Sequence, residues 1–415
     1  MPPFEPPHWT PELWMAFPFI GLLFSIAVLP LVAHRFWNRL KNQTGVSLVF
    51  AVPIVMIYAQ HSPHLLGEQL RDYLSFVLLL SSLYIASGGI HIAGGLNSSP
   101  LANAALLGLG AVISNFIGTT GASMVLIRPL LRANAHRKHH AHLPIFFIFL
   151  VSNIGGALTP LGDPPLFLGF LSGVPFFWTL RLFPLWLVSV SVLLLVFYFT
   201  DRTILALDKT SPKALVSGDP VKVRGKRNLF CFALIIVATF LPIPYREALM
   251  IVAAIVSVWI TPKSYHTANG FSHVPILEVA VIFLGIFITM LPALELLRNY
   301  GGELGVTQPW QFFWSAGGFS SFLDNAPTYM TFAALAQGLH LGGPYMGMPE
   351  TLLLAISAGA VFFGAITYIG NAPNFMVRSI AEHSGWKMPS FFGYMLWSIG
   401  ILIPLFLLIT LIFLR

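Results

Sequence analysis

The sequence predicts an all-α polytopic membrane protein that consists of two inverted-topology repeats. Each repeat is expected to hold about five transmembrane helices, one of them broken at mid-membrane, and one re-entrant hairpin. Three observations indicate this architecture: the apolar composition, two motifs that recur in the second half of the chain, and the placement of lysine and arginine.

Composition alone indicates a membrane protein. Of 415 residues, 56% are hydrophobic and only 9% are charged, whereas soluble domains carry about 25% charged residues. The mean hydropathy is +0.79. The net charge of +7 would suit a nucleic-acid partner, but the basic residues lie in short loops between apolar segments, where they orient a chain in the bilayer. The expected partner is therefore the lipid bilayer, and no nucleic acid.

Apolar segments follow one another along the whole chain. The first covers residues 13–33, and the N-terminal MPPFEPPHWTPELW lacks the basic start of a cleavable signal, so we expect a first transmembrane helix here. Ordinary spans are expected at 46–60, 73–93, 182–200, 228–245, 247–262, 275–297 and 390–414. The single cysteine, Cys231, lies in one of them, which excludes a disulfide framework and a cysteine-based metal site.

Four further segments are too long for one span or are interrupted by Gly, Asn, Asp, Pro and Thr. Unpaired backbone groups cost several kcal/mol each in hydrocarbon, so such breaks persist only where protein or a water-filled cavity satisfies them. We expect re-entrant hairpins at 101–127 and 307–341, and broken crossing helices at 143–178 and 351–377.

Two motifs inside these segments recur in the same order. GALTPLGDPPLF at 156–167 matches GAITYIGNAPNF at 364–375 at six of twelve positions, and SNFIGTTGASM at 114–124 pairs with SSFLDNAPTYM at 320–330. The offsets are 208 and 206 residues. The chain is therefore predicted to be a duplication, with a first repeat at 1–200, a charged basic linker at 201–227 and a second repeat at 228–415.

The basic residues predict the orientation of the repeats. With the N-terminus outside and the two hairpins entering from opposite sides, 17 of the 22 lysine and arginine residues fall on the inner side, seven of them in the linker. Positive charge accumulates on the cytoplasmic side of membrane proteins. We expect a multi-pass protein of a bacterial inner membrane with a periplasmic N-terminus and a cytoplasmic linker. Inverted repeats are typical of secondary transporters, whose sites lie at mid-membrane between the halves.

Two carboxylates, Asp163 and Asp324, lie within the interrupted segments. An intramembrane carboxylate indicates a functional site, because burial disfavours its charged form and so favours reversible protonation or cation binding. Their counterparts in the repeat are Asn371 and Gly118, so the predicted chemistry is asymmetric. For both aspartates, capping of the half-helix that follows is the structural alternative.

Other side-chain oxygens at the breaks complete the candidate site. Hard cations such as sodium prefer oxygen ligands, so Asp163 and Asp324 are the expected sodium ligands. The remaining candidate ion or substrate ligands are Asn153, Thr159, Ser114, Asn115, Thr119, Thr120, Asn325, Asn371, Asn374 and Thr367.

Two groups of charged residues are assigned to the inner surface. The histidines His136, His139, His140 and His142 are expected to form a solvated face, with pH sensing as the alternative. Arg128 and Arg378 are expected to anchor segment ends at the interface, with binding of a substrate carboxylate as the alternative.

These motifs resemble the ion transporter superfamily. SNFIGTTGASMVLIRP, SNIGGALTPLGDPPLFLGF, FLDNAPTYMTF and GNAPNFM are similar to bacterial sodium/proton antiporters and to citrate transporters of the citrate-metal-proton symporter type, over most of the chain. The resemblance implies a scaffold part and a mobile transport part, a homodimer and an elevator-like movement. The Ser-Asn-Thr hairpin tips of related dicarboxylate/sodium symporters map only approximately, onto Ser114-Asn115-Phe116 and Asp324-Asn325-Ala326, which favours a cation site.

The leading functional hypothesis is a sodium/proton antiporter. Asp163 and Asp324 would alternately take protons or coordinate sodium together with Asn153, Asn325 and Asn371. The alternative is cation- or proton-coupled transport of citrate or a related carboxylate, held by hairpin N–H groups, Thr119, Thr120 and Arg378. An intramembrane aspartyl protease and a channel are weaker hypotheses, so no enzyme activity is expected. No cofactor is expected besides sodium and protons, and the absence of a P-loop motif argues against ATP.

Overall fold

The computed structural model describes residues 9–95, 97–208 and 221–415, and these fold mainly into α-helices. In the first half the elements are α1 (Phe17–Val32), α2 (His34–Trp37), α3 (Leu40–His61), α4 (Pro63–Gly88), β1 (His91–Ala93), α5 (Pro100–Ala133), α6 (His142–Leu150), α7 (Pro164–Leu171) and α8 (Phe183–Asp208). In the second they are β2 (Lys222–Arg224), α9 (Asn228–Thr239), α10 (Tyr245–Ile260), α11 (Lys263–Asn269), α12 (Val274–Tyr300), α13 (Pro309–Ser320), α14 (Asn325–Gln337), α15 (Glu350–Phe363), α16 (Ala372–His383) and α17 (Phe391–Phe413). Short 3₁₀ helices cover Leu13–Ala16, Ile154–Leu158, Phe176–Leu182 and Gly301–Leu304.

The helices confirm the prediction of an all-α polytopic membrane protein. Within the described residues, seven helical segments are long and apolar enough to cross a membrane, and eight if α10 and α11, which meet at 100°, count as one span. Large apolar side chains such as Phe24, Met56 and Trp259 are exposed on the outer faces of these helices. Such side chains suit contact with lipid.

The boundary of the predicted linker differs from the structure. The linker was expected to begin at 201, but α8 continues to Asp208, so its first residues are helical. Residues 209–220 of the linker lie outside the described part of the chain, as do residues 1–8 and 96 of the predicted first repeat. At its other end, β2 pairs antiparallel with β1, with Ile92 opposite Val223. This strand pair was not predicted, because three-residue strands leave no periodic signal.

Helix α5 is a hairpin although its helical hydrogen bonding is almost continuous. Gly118 has φ 76° and ψ 154°, a conformation that favours glycine and that breaks the helix near its middle. The two ends meet again, because Asn103 Nδ2 lies 3.0 Å from Asn134 Oδ1. In a straight helix these residues would be about 46 Å apart, from a rise of 1.5 Å per residue. Helix α5, from Pro100 to Ala133, therefore folds back on itself at Gly118.

A buried polar cluster closes the base of this hairpin. Asn103 and Asn134 exchange two amide hydrogen bonds, and Asn103 also donates to Asp201 of α8 at 3.0 Å. Asp201 accepts from Arg137 and lies 2.8 Å from His142 Nε2. The solvated-face interpretation is wrong for His142, which is 2% exposed, because the loop before α6 folds onto α8. His136 and His139 are exposed and His140 is partly buried. No described group of histidine and acidic residues is placed to hold a metal ion.

Replacement of Asn103 tests the closure of the hairpin. We expect Asn103→Ala to lower the free energy of unfolding by about 1–3 kcal/mol, because Asn134 and Asp201 each lose a buried hydrogen-bond partner. Thermal unfolding in detergent measures the change, and Gln60→Ala, at an exposed position of α3, is the control. Equal loss of stability in both variants would contradict this role for Asn103.

The other three interrupted segments are also interrupted in the structure. Helices α13 and α14 are joined by residues 321–324, and the rings of Phe319 and Phe332 lie 5.7 Å apart across them. Non-helical or 3₁₀ backbone at 151–163 separates α6 from α7, and residues 364–371 separate α15 from α16. The chain thus presents four backbone breaks in the interior of the protein.

Candidate functional site

The tip of the α5 hairpin is hydrogen-bonded to the break that precedes α7. Thr119 N donates to Gly162 O at 2.8 Å, Thr159 Oγ1 donates to Asn115 O at 2.5 Å, and Ser114 Oγ donates to Val151 O at 2.8 Å. Polar side chains here satisfy carbonyl groups that the broken helices leave unpaired, as buried backbone requires.

Equivalent contacts recur in the second half. Ser320 Oγ donates to Ala360 O at 2.6 Å, and Thr367 Oγ1 donates to Ser321 O. Ser320 and Thr367 follow Ser114 and Thr159 by 206 and 208 residues, the offsets of the two sequence motifs. Two contacts thus recur at the same sequence offsets in both halves, and in each half they tie the first motif to the interrupted segment that follows it.

Asp163 lies where the two halves meet. Its carboxylate accepts from Thr119 Oγ1 at 3.0 Å, from Asn325 Nδ2 at 2.9 Å and from Asn371 Nδ2 at 3.3 Å. These donors belong to the α5 tip, to the start of α14 and to the residue before α16. Asp163 is 1% exposed, and its side chain does not cap α7. The capping alternative therefore fails for Asp163, whose carboxylate turns toward the other half.

No basic side chain pairs with Asp163 within the described residues. All three of its donors are neutral, and a buried carboxylate without an opposite charge is costly. The arrangement suits a carboxyl group that carries a proton, or a carboxylate that holds a small cation.

Amide oxygens suitable for a hard cation lie close to this carboxylate. Asn153 Oδ1 accepts from Asn371 Nδ2 at 3.2 Å, and Asn325 Oδ1 accepts from Ser320 Oγ at 2.7 Å. Both oxygens face Gly364. A Cβ atom added to Gly364 would overlap Asn325 Oδ1 and would lie 2.8 Å from Asn153 Oδ1. Carboxylate and amide oxygens form the donor set that sodium prefers.

Asparagines also brace the two broken helices against each other. Asn153 Nδ2 donates to Asn374 Oδ1 at 2.7 Å, and Asn374 Nδ2 donates to the carbonyl groups of Gly364 and Thr367 at 2.7 and 2.9 Å. Asn374 and Asn153 are fully buried. Asn374 thus holds the break before α16 in place and orients Asn153, while Asn153 Oδ1 faces the site.

Several predicted ligands lie outside the Asp163 cluster or are occupied by backbone contacts. Asp324 is partly exposed and caps α14 by accepting from Ala326 N at 3.1 Å. Asn115 donates to Gly155 O at 2.7 Å and accepts from Leu158 N at 2.7 Å. Thr120, just after the tip, is partly exposed. Of the ten side chains named besides the two aspartates, Thr119, Asn325, Asn371 and Asn153 stand in or beside the carboxylate cluster.

Sequence reasoning missed residues that shape the site. Gly364 makes room for the two amide oxygens. It is the counterpart of Gly156 in the repeated motif, and this correspondence could have identified it from the sequence. Trp186 and Tyr394 donate to Gly155 O and Ala365 O at 3.0 and 2.7 Å and so support the breaks from α8 and α17. No local sequence feature indicated these long-range contacts.

Arg378 does not reach the cluster. Its guanidinium lies 4.6 Å from the Tyr368 ring centroid and donates to Glu382 at 2.9 Å, one turn along α16. Its contacts are therefore with α16 and with the break that precedes α16.

Comparison with known proteins agrees with a membrane transporter. A 46 kDa membrane protein of Mycobacterium leprae (strain TN) is 23% identical over 392 residues, which cover 88% of this chain and 90% of the relative. The sequence model of a family described as "Putative citrate transport" matches residues 9–414. Because that match covers nearly the whole chain, the chain belongs to this citrate transport family.

Proposed function

We propose that the protein is a cation- or proton-coupled transporter of citrate or a related small carboxylate, and that Asp163 binds the coupling ion. The observation that carries the proposal is the buried Asp163 carboxylate, held by Thr119, Asn325 and Asn371 with no described basic partner. Family membership supports carboxylate transport in place of the sodium/proton exchange that the sequence favoured.

We further propose that the two halves are related by an internal two-fold axis, which would permit alternating access at this point. Asp163 and Asn371 occupy the same position of the repeated motif, and they contact each other at 3.3 Å. A residue that touches its own counterpart lies beside the axis that relates the two copies. With the basic residues placed on one side, this axis lies in the membrane plane, as in transporters with inverted repeats. The proposed repeats are 1–200 and 228–415, and the site lies on their axis.

The asymmetry of the motif limits the site to one fixed charge. With aspartate at both positions, two carboxylates would lie about as close as Asp163 and Asn371 do, and they could not both ionise. Asn371 instead donates to Asp163, so one coupling cation or proton neutralises the pair.

Helix N-termini provide the positive potential that a carboxylate substrate requires. Helices α7, α14 and α16 all begin at members of the cluster, with Asp163, Asn325 and Asn371 at their first turns. Each N-terminus carries a partial positive charge. Three such ends and one bound cation would offset both the Asp163 carboxylate and a substrate carboxylate. Thr119, Thr120 and Asn325 are the proposed substrate contacts.

Sodium/proton antiport is the second candidate. The absence of a described arginine or lysine beside Asp163 favours it, because a cation exchanger needs no fixed positive charge for an organic anion. In this case Asp163 would bind sodium and protons in turn, with Asp324 as a second acid.

Transport by proteoliposomes separates the two candidates. Uptake of radiolabelled citrate is measured under an inward proton gradient, an inward sodium gradient, both and neither, while an internal dye reports pH. Citrate accumulation that depends on one of the gradients supports the proposal. Sodium- or lithium-driven proton movement without citrate, together with no citrate uptake, would replace it by antiport.

Substitution of Asp324 tests whether its charge is needed. Asparagine caps a helix about as well as aspartate, so Asp324→Asn should retain the α14 cap. We expect citrate uptake to fall by no more than about tenfold, since the partial charge next to Asn325 changes but the Asp163 cluster stays intact. Complete loss of uptake with unchanged thermal stability would assign Asp324 to the ion site as well.

Orientation and assembly are also proposed. We place the protein in a bacterial inner membrane with a periplasmic N-terminus and a cytoplasmic linker, on the basis of its basic residues. A homodimer is proposed from the family resemblance. Labelling of single cysteines introduced at Lys222 and Trp9 in intact cells tests the orientation, since only the latter should react with an impermeant reagent.

A further inference from the structure

A cluster of basic residues that form no ion pair with a described acidic residue lies at the far end of the α5 hairpin, away from Asp163. Arg128 belongs to the second arm of α5, nine residues beyond Thr119. At 1.5 Å per residue this places it about 14 Å from the hairpin tip. No single carboxylate group can therefore contact both Arg128 and the Asp163 cluster.

The guanidinium of Arg128 is partly buried and has no described hydrogen-bond partner at Nη1, which is shielded from solvent. Its Nη2 packs against Gly270, and a Cβ atom added to Gly270 would lie 2.5 Å from this Nη2. Arginine keeps its charge at all physiological pH values, so this cation stays charged although no described carboxylate forms an ion pair with it.

A second unpaired group borders the same turn. His266 Nδ1, on α11, is also shielded and without a described partner. The His266 ring lies 4.7 Å from the ring of Phe271, and Phe271 N donates to His266 O at 2.9 Å. Arg128 and His266 therefore both border the end of α11 and the residues just after it, where Gly270 and Phe271 lead toward α12.

The surroundings of this turn are positive. Arg132, one turn beyond Arg128, donates to Ile92 O of β1. Lys263 and His273 flank the turn, and no ion pair with a described carboxylate includes any of these residues. A guanidinium fork next to such a cluster matches the oxygen geometry of a carboxylate or a phosphate.

We propose that Arg128 and His266 form an anion site for a carboxylate or phosphate group at the end of the second arm of the α5 hairpin. Two sources share this chemistry: a free polycarboxylate near the mouth of the protein, and the phosphate of an anionic lipid. Because the site joins the hairpin to the α11–α12 turn, an anion bound there would tether the hairpin to its neighbours. The site is separate from Asp163 and does not depend on the proposed transport activity.

Binding to the full-length chain in phosphatidylcholine nanodiscs tests the proposal. One arm measures equilibrium binding of radiolabelled citrate, and the other measures the rise in Tm when phosphatidylglycerol replaces part of the phosphatidylcholine. We expect one of these anions to bind, and Arg128→Gln to weaken that binding about tenfold, the effect of roughly 1.4 kcal/mol. Arg128→Lys should give an intermediate value, because lysine keeps the charge and loses the fork. A citrate effect identifies a free carboxylate as the ligand, and a phosphatidylglycerol effect identifies a lipid phosphate.

Controls make the outcome decisive. Arg35→Gln, at an exposed arginine of α2, should leave binding unchanged. His266→Asn should weaken the same binding and serves as the second variant if Arg128→Gln does not fold. The anion effect should persist in an Asp163→Asn background, which separates this site from the coupling site. If the wild type binds neither anion, or if the folded Arg128 and His266 variants bind as the wild type does, the proposal is wrong.

Discussion

Asp163→Asn should abolish gradient-driven accumulation of citrate while leaving the protein folded. The substitution keeps the size of the side chain and removes the only charge in a cluster of neutral donors. Without the carboxylate, neither a proton nor a sodium ion is held at the junction of the two halves. We expect initial uptake rates in proteoliposomes to fall about 100-fold, equivalent to about 2.7 kcal/mol.

Two measurements accompany this variant. Asp208→Asn, outside the cluster at the end of α8, is the control and should transport like the wild type. Thermal unfolding should show Asp163→Asn to be no less stable than the wild type, since a buried carboxylate without a counter-charge is itself costly. Wild-type accumulation by a folded Asp163→Asn protein would remove Asp163 from the coupling mechanism.

Gly162→Ala should cause the largest loss of stability. A Cβ atom at Gly162 would overlap the carbonyl oxygen of Gly156, and backbone atoms cannot rotate away as a side chain can. The same close approach occurs between Gly370 and Gly364 in the second half. We expect a cost on the order of 5 kcal/mol, enough to prevent accumulation of folded protein, because dense interiors tolerate little overlap.

Gly400→Ala is the matched control for this substitution. Gly400 lies inside α17 with no atom within 4 Å of an added Cβ, so alanine should be neutral or slightly stabilising. Yield of monodisperse protein and thermal unfolding in detergent compare the two variants. A Gly162→Ala protein with the yield and Tm of the wild type would show that the break before α7 does not need this close backbone crossing.

The sequence predicts where the helices break and which polar residues lie at the breaks. It does not predict which residues these polar side chains contact. Gly118, the prolines after Asp163 and the repeated GALT and GAIT motifs mark where the helices stop, because helix breaking depends on local backbone chemistry. The closure of the α5 hairpin through Asn103 and Asn134 depends on residues 31 positions apart, and no local pattern indicates such contacts.

The two aspartates show the same limit at the site. Both precede a half-helix, so local rules predict helix capping by either one. In the structure Asp324 caps α14, whereas Asp163 accepts from Asn325 and Asn371 of the other half. This difference arises from the packing of the two halves against each other. Local sequence patterns do not indicate such long-range contacts. His142 differs from its neighbours for a similar reason, through its contact with Asp201 of α8.

Binding of the coupling ion to Asp163 can be measured without substrate turnover. Proteoliposomes adsorbed to a solid-supported membrane are exposed to a rapid jump in sodium concentration or pH in the absence of citrate, and the displaced charge is recorded as a transient current. The wild type should give a transient for the ion that drives uptake, and Asp163→Asn should reduce it at least about tenfold, since no other fixed charge in the cluster can hold a cation. A transient of equal size in both proteins would contradict the assignment of the coupling ion to Asp163.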